Sequence, residues 1–254
     1  MSQPLLQVRE LLMQFQGLTA LDRVSFEVQA GSITSLMGPN GAGKTTLFNC
    51  VTGMYRPTSG RVDFAGQDIT ARRAHDVARC GIARTFQNLA LFGGLSVLDN
   101  LLVGTYLQGK SGLLQGALLS RAARRERAEG VAAAHQVLNY LGLTDSAHLL
   151  PGELPYGRQK QLEFGRALMQ KARLILLDEP MAGMSQAEKQ AMTQLILRVR
   201  AEMGVSFLLV EHDVPVIMEI SDHIVVLDFG RKIAEGNPAE VQVNPDVIAA
   251  YLGR

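Results

Sequence analysis

A glycine-rich segment between residues 38 and 45 constrains this chain more than any other feature. It satisfies the pattern G-x-x-x-x-G-K-[ST] at every fixed position, and reads Gly38-Pro39-Asn40-Gly41-Ala42-Gly43-Lys44-Thr45. Glycine has no Cβ, so the backbone N–H groups of such a loop can turn inward around phosphates. The lysine of this pattern reaches the terminal phosphates, and the Ser/Thr hydroxyl reaches Mg²⁺. The segment therefore predicts a nucleoside triphosphate with Mg²⁺, contacted by Lys44 and Thr45.

The residues on either side of the loop fit this interpretation. Residues 32–37 are typical of a strand that enters the loop, and residues 45–51 are typical of a helix that leaves it. The N-terminal end of a helix favours anions, because its dipole and free N–H groups point toward them. A glycine-rich turn that matches by chance is the alternative, and it does not require this strand and helix.

Length and composition bound the remaining possibilities. The chain has 254 residues, of which 47% are hydrophobic and 19% charged, so one large α/β domain or a core with a subdomain is expected. The net charge of +1 gives no argument for a nucleic-acid partner. No apolar run approaches the roughly 18 residues of a membrane span, and the N-terminus lacks the regions of a secretory signal. Cys50 and Cys80 lack metal-like spacing, which suggests a reducing compartment. We expect a cytosolic protein that meets membranes only through partners.

Strand-like and helix-like stretches divide the chain into three kinds of region. Early stretches with strand character predict a small antiparallel sheet beside the loop, and later apolar runs predict buried parallel strands. Between about Leu95 and Gln170 the pattern is helical, with Ser96 or Asp99 as a possible cap. We predict an α/β nucleotide-binding core with a helical insertion. The predicted strands are 5–8, 24–28, 32–37, 60–64, 82–86, 174–177, 205–210 and 224–227, and the predicted long helix is 121–141.

Two adjacent carboxylates follow one of these apolar strands. Asp178 and Glu179 come directly after Leu174-Ile175-Leu176-Leu177, which places them at the carboxyl edge of a parallel sheet, beside the glycine-rich loop. We expect Asp178 to hold Mg²⁺ through water and Glu179 to polarise the attacking water. A strand that merely ends in an acidic turn is the alternative.

The segment before that strand reads Leu154-Pro155-Tyr156-Gly157-Arg158 and runs into a predicted helix, 158–169. It resembles the Leu-Ser-Gly-Gly-Gln signature of the ATP-binding-cassette (ABC) ATPases. Leu154 and Gly157 match, whereas Pro155 stands at the serine, Tyr156 at the first glycine and Arg158 at the glutamine. Its position just before the acidic strand is the position that the family has.

Further matches to the family occur in order along the whole chain. Gln87 lies at the place of the Q-loop, His212 at the place of the switch histidine, and Phe15 at the place of the aromatic that stacks on adenine. The resemblance implies the ABC ATPase (P-loop NTPase) fold, ATP and Mg²⁺ as cofactors, and catalytic roles for Glu179, His212 and Gln87. It also implies that Gln87 contacts the metal, that residues 38–46, including Thr46, bind nucleotide, and that residues 154–158 bind the nucleotide of a second subunit.

The resemblance also suggests how the chain is divided. Residues 1–94 and 171–236 would form the nucleotide-binding core and β-subdomain, residues 95–170 the helical subdomain, and residues 237–254 a short C-terminal helical tail.

Within the family, the ATP-binding subunits of branched-chain amino-acid importers are the most similar group. The resemblance implies a subunit that binds and hydrolyses ATP to power an importer for branched-chain or other polar amino acids, through ATP-driven closure of a dimer. They carry a Leu-x-Tyr-Gly-x-Gln variant, matched by Leu154, Tyr156, Gly157 and Gln159, and a tail resembling residues 244–253. The segment 182–184 also resembles this group and lacks the aspartate of the wider family's Ser-Ala-Leu-Asp loop. The implied partners are two transmembrane permease subunits, a second ABC ATPase subunit and, indirectly, a substrate-binding protein. The implied location is cytoplasmic, peripheral on the inner face of the membrane.

Several other interpretations stay open. The same engine could serve urea or amide uptake, or lipid or lipopolysaccharide export, because the catalytic motifs do not separate these systems. A soluble ABC ATPase acting on ribosomes or DNA is another class, and a non-catalytic nucleotide sensor is a third.

An arginine-rich stretch is predicted to be a solvated helix face, because Glu126 and Glu129 interleave with Arg121, Arg124, Arg125 and Arg127.

Overall fold

The computed structural model describes residues 3–107 and 121–252, and ten strands in two sheets organise these residues. One sheet is antiparallel with the order β2-β1-β4-β5, and the other has the order β10-β9-β3-β8-β7-β6. The strands are β1 Leu6–Phe15, β2 Leu18–Val28, β3 Ile33–Met37, β4 Ser59–Phe64, β5 Gln67–Asp68, β6 Ile82–Arg84, β7 Leu174–Asp178, β8 Ser206–Val210, β9 His223–Asp228 and β10 Arg231–Gly236.

The six-stranded sheet has the α/β architecture that the apolar runs predict. All its strand pairs are parallel except the pair of β9 with the edge strand β10. Every residue of β3, β7 and β8 is buried, as expected for strands that are covered on both faces.

The register of the central strands brings several loops to one edge. Leu36 of β3 pairs with Val210 of β8, and Val210 pairs with Asp178 of β7 on its other side. These strands therefore end at the same level. The glycine-rich loop, the acidic pair and the segment that carries His212 all leave the sheet from its carboxyl edge, where open α/β sheets bind ligands.

Helices cover both faces of this sheet. The antiparallel sheet and the helix after the glycine-rich loop share one buried core with Leu36 and Leu208. On the other face, the helices of the 95–170 region share a core with Ile175 and Phe207. The division at residues 94/95 and 170/171 stays a prediction. The α-helices are α1 Lys44–Val51, α2 Ala74–Arg79, α3 Val97–Val103, α4 Arg121–Leu141, α5 Tyr156–Met169, α6 Gln186–Met203, α7 Val214–Ile220, α8 Pro238–Gln242 and α9 Pro245–Leu252.

Some predicted boundaries were wrong. The strand predicted to run to Phe86 ends at Arg84, because the chain leaves the sheet after Thr85 donates to Leu176 O, and Phe86 is 40% exposed. The helix predicted to begin at Arg158 begins at Tyr156, with Pro155 as its N-cap in extended conformation.

The ambiguous cap before α3 is also resolved. Ser96 is the N-cap, and its side chain accepts a hydrogen bond from the backbone N–H of Asp99 at 3.0 Å.

Some sequence predictions concern residues outside the described ranges. Residues 108–120 of the helical insertion, residues 253–254 of the tail and the first two residues of the chain lie outside them. Among the described residues, 3–107 and 121–252, none of the helices combines the length and apolar character of a membrane span. The side chains of Arg124, Arg125 and Arg127 are exposed, as predicted, and that of Arg121 is not among those described.

Candidate active site

Glycine is required at two points of the loop that follows β3. Gly38 has φ +148°, and a Cβ there would lie 2.1 Å from the carbonyl oxygen of Leu227. Gly43 has φ +100°, and its Cβ would lie 2.7 Å from the carbonyl oxygen of Ala20. A side chain at either position would displace backbone, so the close packing of the loop against β9 and β2 depends on these glycines.

Lys44 and the start of α1 provide positive potential at this loop. Gly43 is the N-cap and supplies no side-chain cap, and Thr45 and Thr46 occupy the first turn. Lys44 is buried, and its Nζ donates to the carbonyl oxygens of Gly38 at 2.6 Å and Pro39 at 2.9 Å. Burial lowers the pKa of Lys44, whereas the nearby charges of Glu179 and Asp178 raise it. N–H groups without a side-chain cap, beside a buried ammonium group, fit the phosphates of a nucleotide.

The middle of the loop combines exposed and anchored residues. Asn40 and Gly41 are exposed, whereas Ala42 is buried. The backbone N–H of Ala42 donates to Pro39 O at 3.2 Å, and its carbonyl oxygen accepts from Gly230 N at 3.0 Å. The turn after β9 is therefore hydrogen-bonded to the backbone of the glycine-rich loop.

Asp178 forms a buried ion pair at the end of β7. Its Oδ2 accepts from Arg84 Nη2 at 2.7 Å, and both side chains are less than 10% exposed. Arg84 also donates through Nη1 to Asn49 Oδ1 at 2.6 Å, and its guanidinium carbon lies 5.4 Å and 5.2 Å from the ring centroids of Phe48 and Phe86. The direction of the Asp178 carboxylate is therefore fixed by α1 and β6.

Two side-chain oxygen donors near the glycine-rich loop could contact a magnesium ion. No group of three or more His, Cys, Asp or Glu side chains that could hold a metal occurs among the described residues. In nucleotide sites Mg²⁺ is held by one or two protein oxygens together with waters and phosphates. The exposed hydroxyl of Thr45 and the carboxylate of Asp178 are oxygen donors of this kind.

The carboxylate of Glu179 is contacted by side chains from two other loops. Gln87 Nε2 donates to its Oε2 at 2.9 Å, and His212 Nε2 lies 2.8 Å from its Oε1. The backbone of Glu179 has φ +50°, a region that few residues other than glycine adopt and that often marks functional sites. Two of the predicted catalytic residues, Gln87 and His212, therefore contact the third, Glu179.

Residues 154–158, called here the signature segment, lie at the beginning of α5 and contact neighbouring elements of the same chain. Leu154 is buried, and its carbonyl oxygen accepts from Gln159 Nε2 at 2.9 Å. Arg158 donates to Leu141 O at 3.2 Å, at the end of α4. The ring of Tyr156 would lie 3.2 Å from a Cβ on Gly183.

The signature segment also lies close to α6, and it makes no described hydrogen bond to the glycine-rich loop. A Cβ on Gly157 would meet Glu188 Oε1 at 2.4 Å, so this glycine also permits a close approach. Among the described hydrogen bonds, none joins residues 154–158 to residues 38–46.

Phe15 ends β1 and is 38% exposed. Its ring meets that of Tyr55 edge to face, with the ring centroids 5.4 Å apart. The residue is therefore partly exposed at the surface, and the predicted stacking on adenine stays a prediction.

The sequence interpretation missed several residues that contact the site. The pattern of residues 82–86 predicts only a core strand for Arg84, although an arginine between buried residues already signals a need for a partner. Glu211 accepts from the backbone N–H groups of Met181 at 2.8 Å and His212 at 3.0 Å, and burial raises its pKa. It therefore ties the loop after Glu179 to the loop that carries His212. Its position next to His212 was the available signal.

The chain matches two families of known proteins. Residues 21–182 match the family described as ABC transporter, and residues 231–254 match the family described as branched-chain amino acid ATP-binding cassette transporter.

Individual relatives match over nearly their whole length. The chain is 43% identical over 253 residues to the high-affinity branched-chain amino acid transport ATP-binding protein BraF of Pseudomonas aeruginosa, covering 100% of this chain and 99% of that protein. It is 42% identical to the corresponding LivG protein of Escherichia coli K12, with the same coverage.

Solved structures show the same fold. A nucleotide-free ATP-binding cassette from an ABC transporter superposes with a TM-score of 0.86 at 33% identity, covering 99% of this chain and 100% of that one. The ADP conformation of such a cassette gives 0.87 at 33% identity, covering both chains fully. The predicted α/β P-loop fold is thus confirmed, and the chain belongs to the ABC transporter family of ATP-binding proteins.

Proposed function

We propose that this chain is the ATP-hydrolysing subunit of an importer for branched-chain amino acids. Members of its family hydrolyse ATP to drive transport. The observation that carries the narrower proposal is the full-length similarity to ATP-binding proteins named for branched-chain amino acid transport, together with the family match of residues 231–254.

The contacts around Glu179 support a hydrolytic role for this carboxylate. In the proposal Glu179 accepts a proton from the attacking water, and Gln87 and His212 orient the carboxylate and the terminal phosphate. Mg²⁺, held by Thr45 and Gln87 and through water by Asp178, would neutralise charge on the phosphates.

The remaining predicted residues bind the nucleotide. Residues 38–46 surround the phosphates, with Lys44 at the terminal ones, and Phe15 stacks on adenine. The backbone N–H groups of the loop and the α1 dipole favour the negative charge. Because ATP would bind a closed pair of subunits better than an open pair, binding shifts the population toward closure, and hydrolysis releases it.

A second ATPase subunit completes each site in this proposal. Residues 154–158 lack a hydrogen bond to the nucleotide loop among the described residues, which supports their use on the nucleotide of a partner. The partner is a second copy or a related chain. Both would dock on two transmembrane permeases at the inner membrane face, with a substrate-binding protein delivering cargo and no nucleic acid involved.

The other systems are less well supported. The relatives reported above are named for branched-chain amino acid transport, and this does not favour urea or amide uptake, lipid export or a soluble role. The joint presence of Lys44, Asp178, Glu179 and His212 argues against a non-catalytic sensor.

Purification of the tagged chain from its native membranes, with and without ATP, tests the proposal. We expect two hydrophobic permeases and a second ATPase to copurify, and the cognate binding protein to bind leucine, isoleucine or valine in calorimetry. Urea serves as the matched competing solute. Recovery of ribosomal or DNA-bound partners alone, or a binding protein selective for urea, would contradict the importer assignment.

A further inference from the structure

The loop that carries Gln87 is attached to the helix that follows the signature segment. Residues 86–92, called here the Gln87 loop, connect β6 toward α3. The side chain of Gln87 donates to Glu179 Oε2, so the backbone position of this loop determines where that amide lies. Its far end is fixed by Asn100, which accepts from Phe92 N at 2.9 Å and donates to Phe92 O at 3.1 Å.

Three charged side chains of α5 bind the backbone of the Gln87 loop. Lys160 Nζ donates to Gln87 O at 3.0 Å. Glu163 Oε1 accepts from Ala90 N at 3.3 Å, and Arg166 Nη1 donates to Ala90 O at 2.5 Å. Residues three apart on a helix are neighbours on its surface, so these side chains form one row facing the loop.

These charges lie in a buried environment. Lys160 is 2% and Glu163 3% exposed. Burial raises the pKa of Glu163, while the charges of Lys160 and Arg166 and two backbone N–H donors lower it. Well-packed apolar side chains often stabilise such a position as well as a buried ionic group does. What the charged row adds is a set of directed bonds to the Gln87 loop.

We propose that Lys160, Glu163 and Arg166 are positioning residues that make the placement of Gln87 on Glu179 follow the position of helix α5. Lys160 lies three residues after Gly157, about 4.5 Å along the helix axis. A second subunit that closes on residues 154–158 displaces this helix, and the row transmits the displacement to Gln87. The inference rests on the proposed ATPase function and adds the route by which closure reaches Glu179.

The test compares variants of the full chain in the complex that copurifies with the tagged chain from native membranes. Lys160→Met removes the donor to Gln87 O, and Lys160→Arg restores a cationic donor. Because a misplacement of about 1 Å can cost on the order of 100-fold in rate, we expect Lys160→Met to lower kcat by about tenfold or more. Its KM for ATP should stay within about threefold, because the residues proposed to bind the phosphates are untouched, and Lys160→Arg should recover most of the rate.

Arg200→Met is the matched control. Arg200 also donates to a backbone carbonyl, Gly31 O at 2.9 Å, and pairs with Asp222, away from the site. We expect this variant to lower the thermal unfolding midpoint without changing kcat. If Lys160→Met changes only the midpoint, as this control does, the row is structural and the proposal fails.

A double-mutant cycle with Gln87→Ala keeps the proposal testable. Lys160→Met should add little to the loss caused by Gln87→Ala, because both act on one contact. Independent, multiplicative losses would overturn the proposal. If Lys160→Met does not fold, Lys160→Gln takes its place in the same cycle. Absence of turnover in the unaltered complex would instead contradict the ATPase function itself.

Discussion

Replacing Arg84 by methionine removes the positive partner of a carboxylate that we assign to the magnesium site. Methionine keeps an unbranched, flexible side chain between Phe48 and Phe86 and deletes the 2.7 Å bond to Asp178 and the 2.6 Å bond to Asn49. Asp178 then remains buried without this counter-charge. The variant therefore isolates the cost of that unpaired charge from the cost of a cavity.

The expected magnitude follows from burial on both sides of the pair. Removing one partner of a buried ion pair costs about 3–5 kcal/mol. Arg84 Nε is itself buried without a hydrogen-bond partner among the described residues, and its removal offsets about 1 kcal/mol. We therefore expect the free energy of unfolding to fall by about 3 kcal/mol. In a chain of this size this lowers the unfolding midpoint by about 6–12 °C.

Urea and thermal unfolding of the unaltered protein and of the Arg84→Met variant measure this loss of stability. Arg125→Met is the control, because its pair with Glu129 is exposed on α4 and contributes little. We expect Arg84→Met to shift the urea midpoint with the slope unchanged, and Arg125→Met to leave the midpoint nearly where it was. A loss below about 1 kcal/mol for Arg84→Met would refute the reasoning, since it would mean that Asp178 does not depend on this partner.

Two further changes probe the loop and the signature helix. Gly38→Ala should abolish binding of a fluorescent ATP analogue, because its Cβ would meet Leu227 O at 2.1 Å, whereas a Cβ on Gly152, outside the loop, meets no atom within 4 Å, so Gly152→Ala should retain binding. Equal losses for the two variants would contradict the packing argument. Pro155→Ser should leave ATPase turnover within a few-fold, because Pro155 is the N-cap of α5, a position that serine also suits. A much larger change in turnover would show a specialised role.

Local patterns predicted the elements of the fold better than the contacts between them. The buried strands β3, β7 and β8 are continuous apolar runs, so their type could be predicted from the residues alone. The boundary at Arg84 could not, because it depends on where the chain leaves the sheet to form the Gln87 loop. Motifs and family resemblance predicted Gln87, Glu179 and His212 as site residues.

The contacts of the site depend on register and on distant packing. Gln87, Glu179 and His212 meet because Asp178 and Val210 are level in neighbouring strands. The bond from Lys160 to Gln87 O joins residues 73 positions apart, and no local pattern indicates it. Such contacts require the assembled fold.

The most direct test of the central claim is the behaviour of Glu179→Gln with ATP. Glutamine keeps the size of the side chain but cannot accept the proton of water as a carboxylate does. We predict that this variant stops turnover, retains bound ATP and elutes as a dimer from gel filtration when ATP is present. A monomer that hydrolyses ATP at the full rate would contradict the assignment of Glu179 as the catalytic carboxylate.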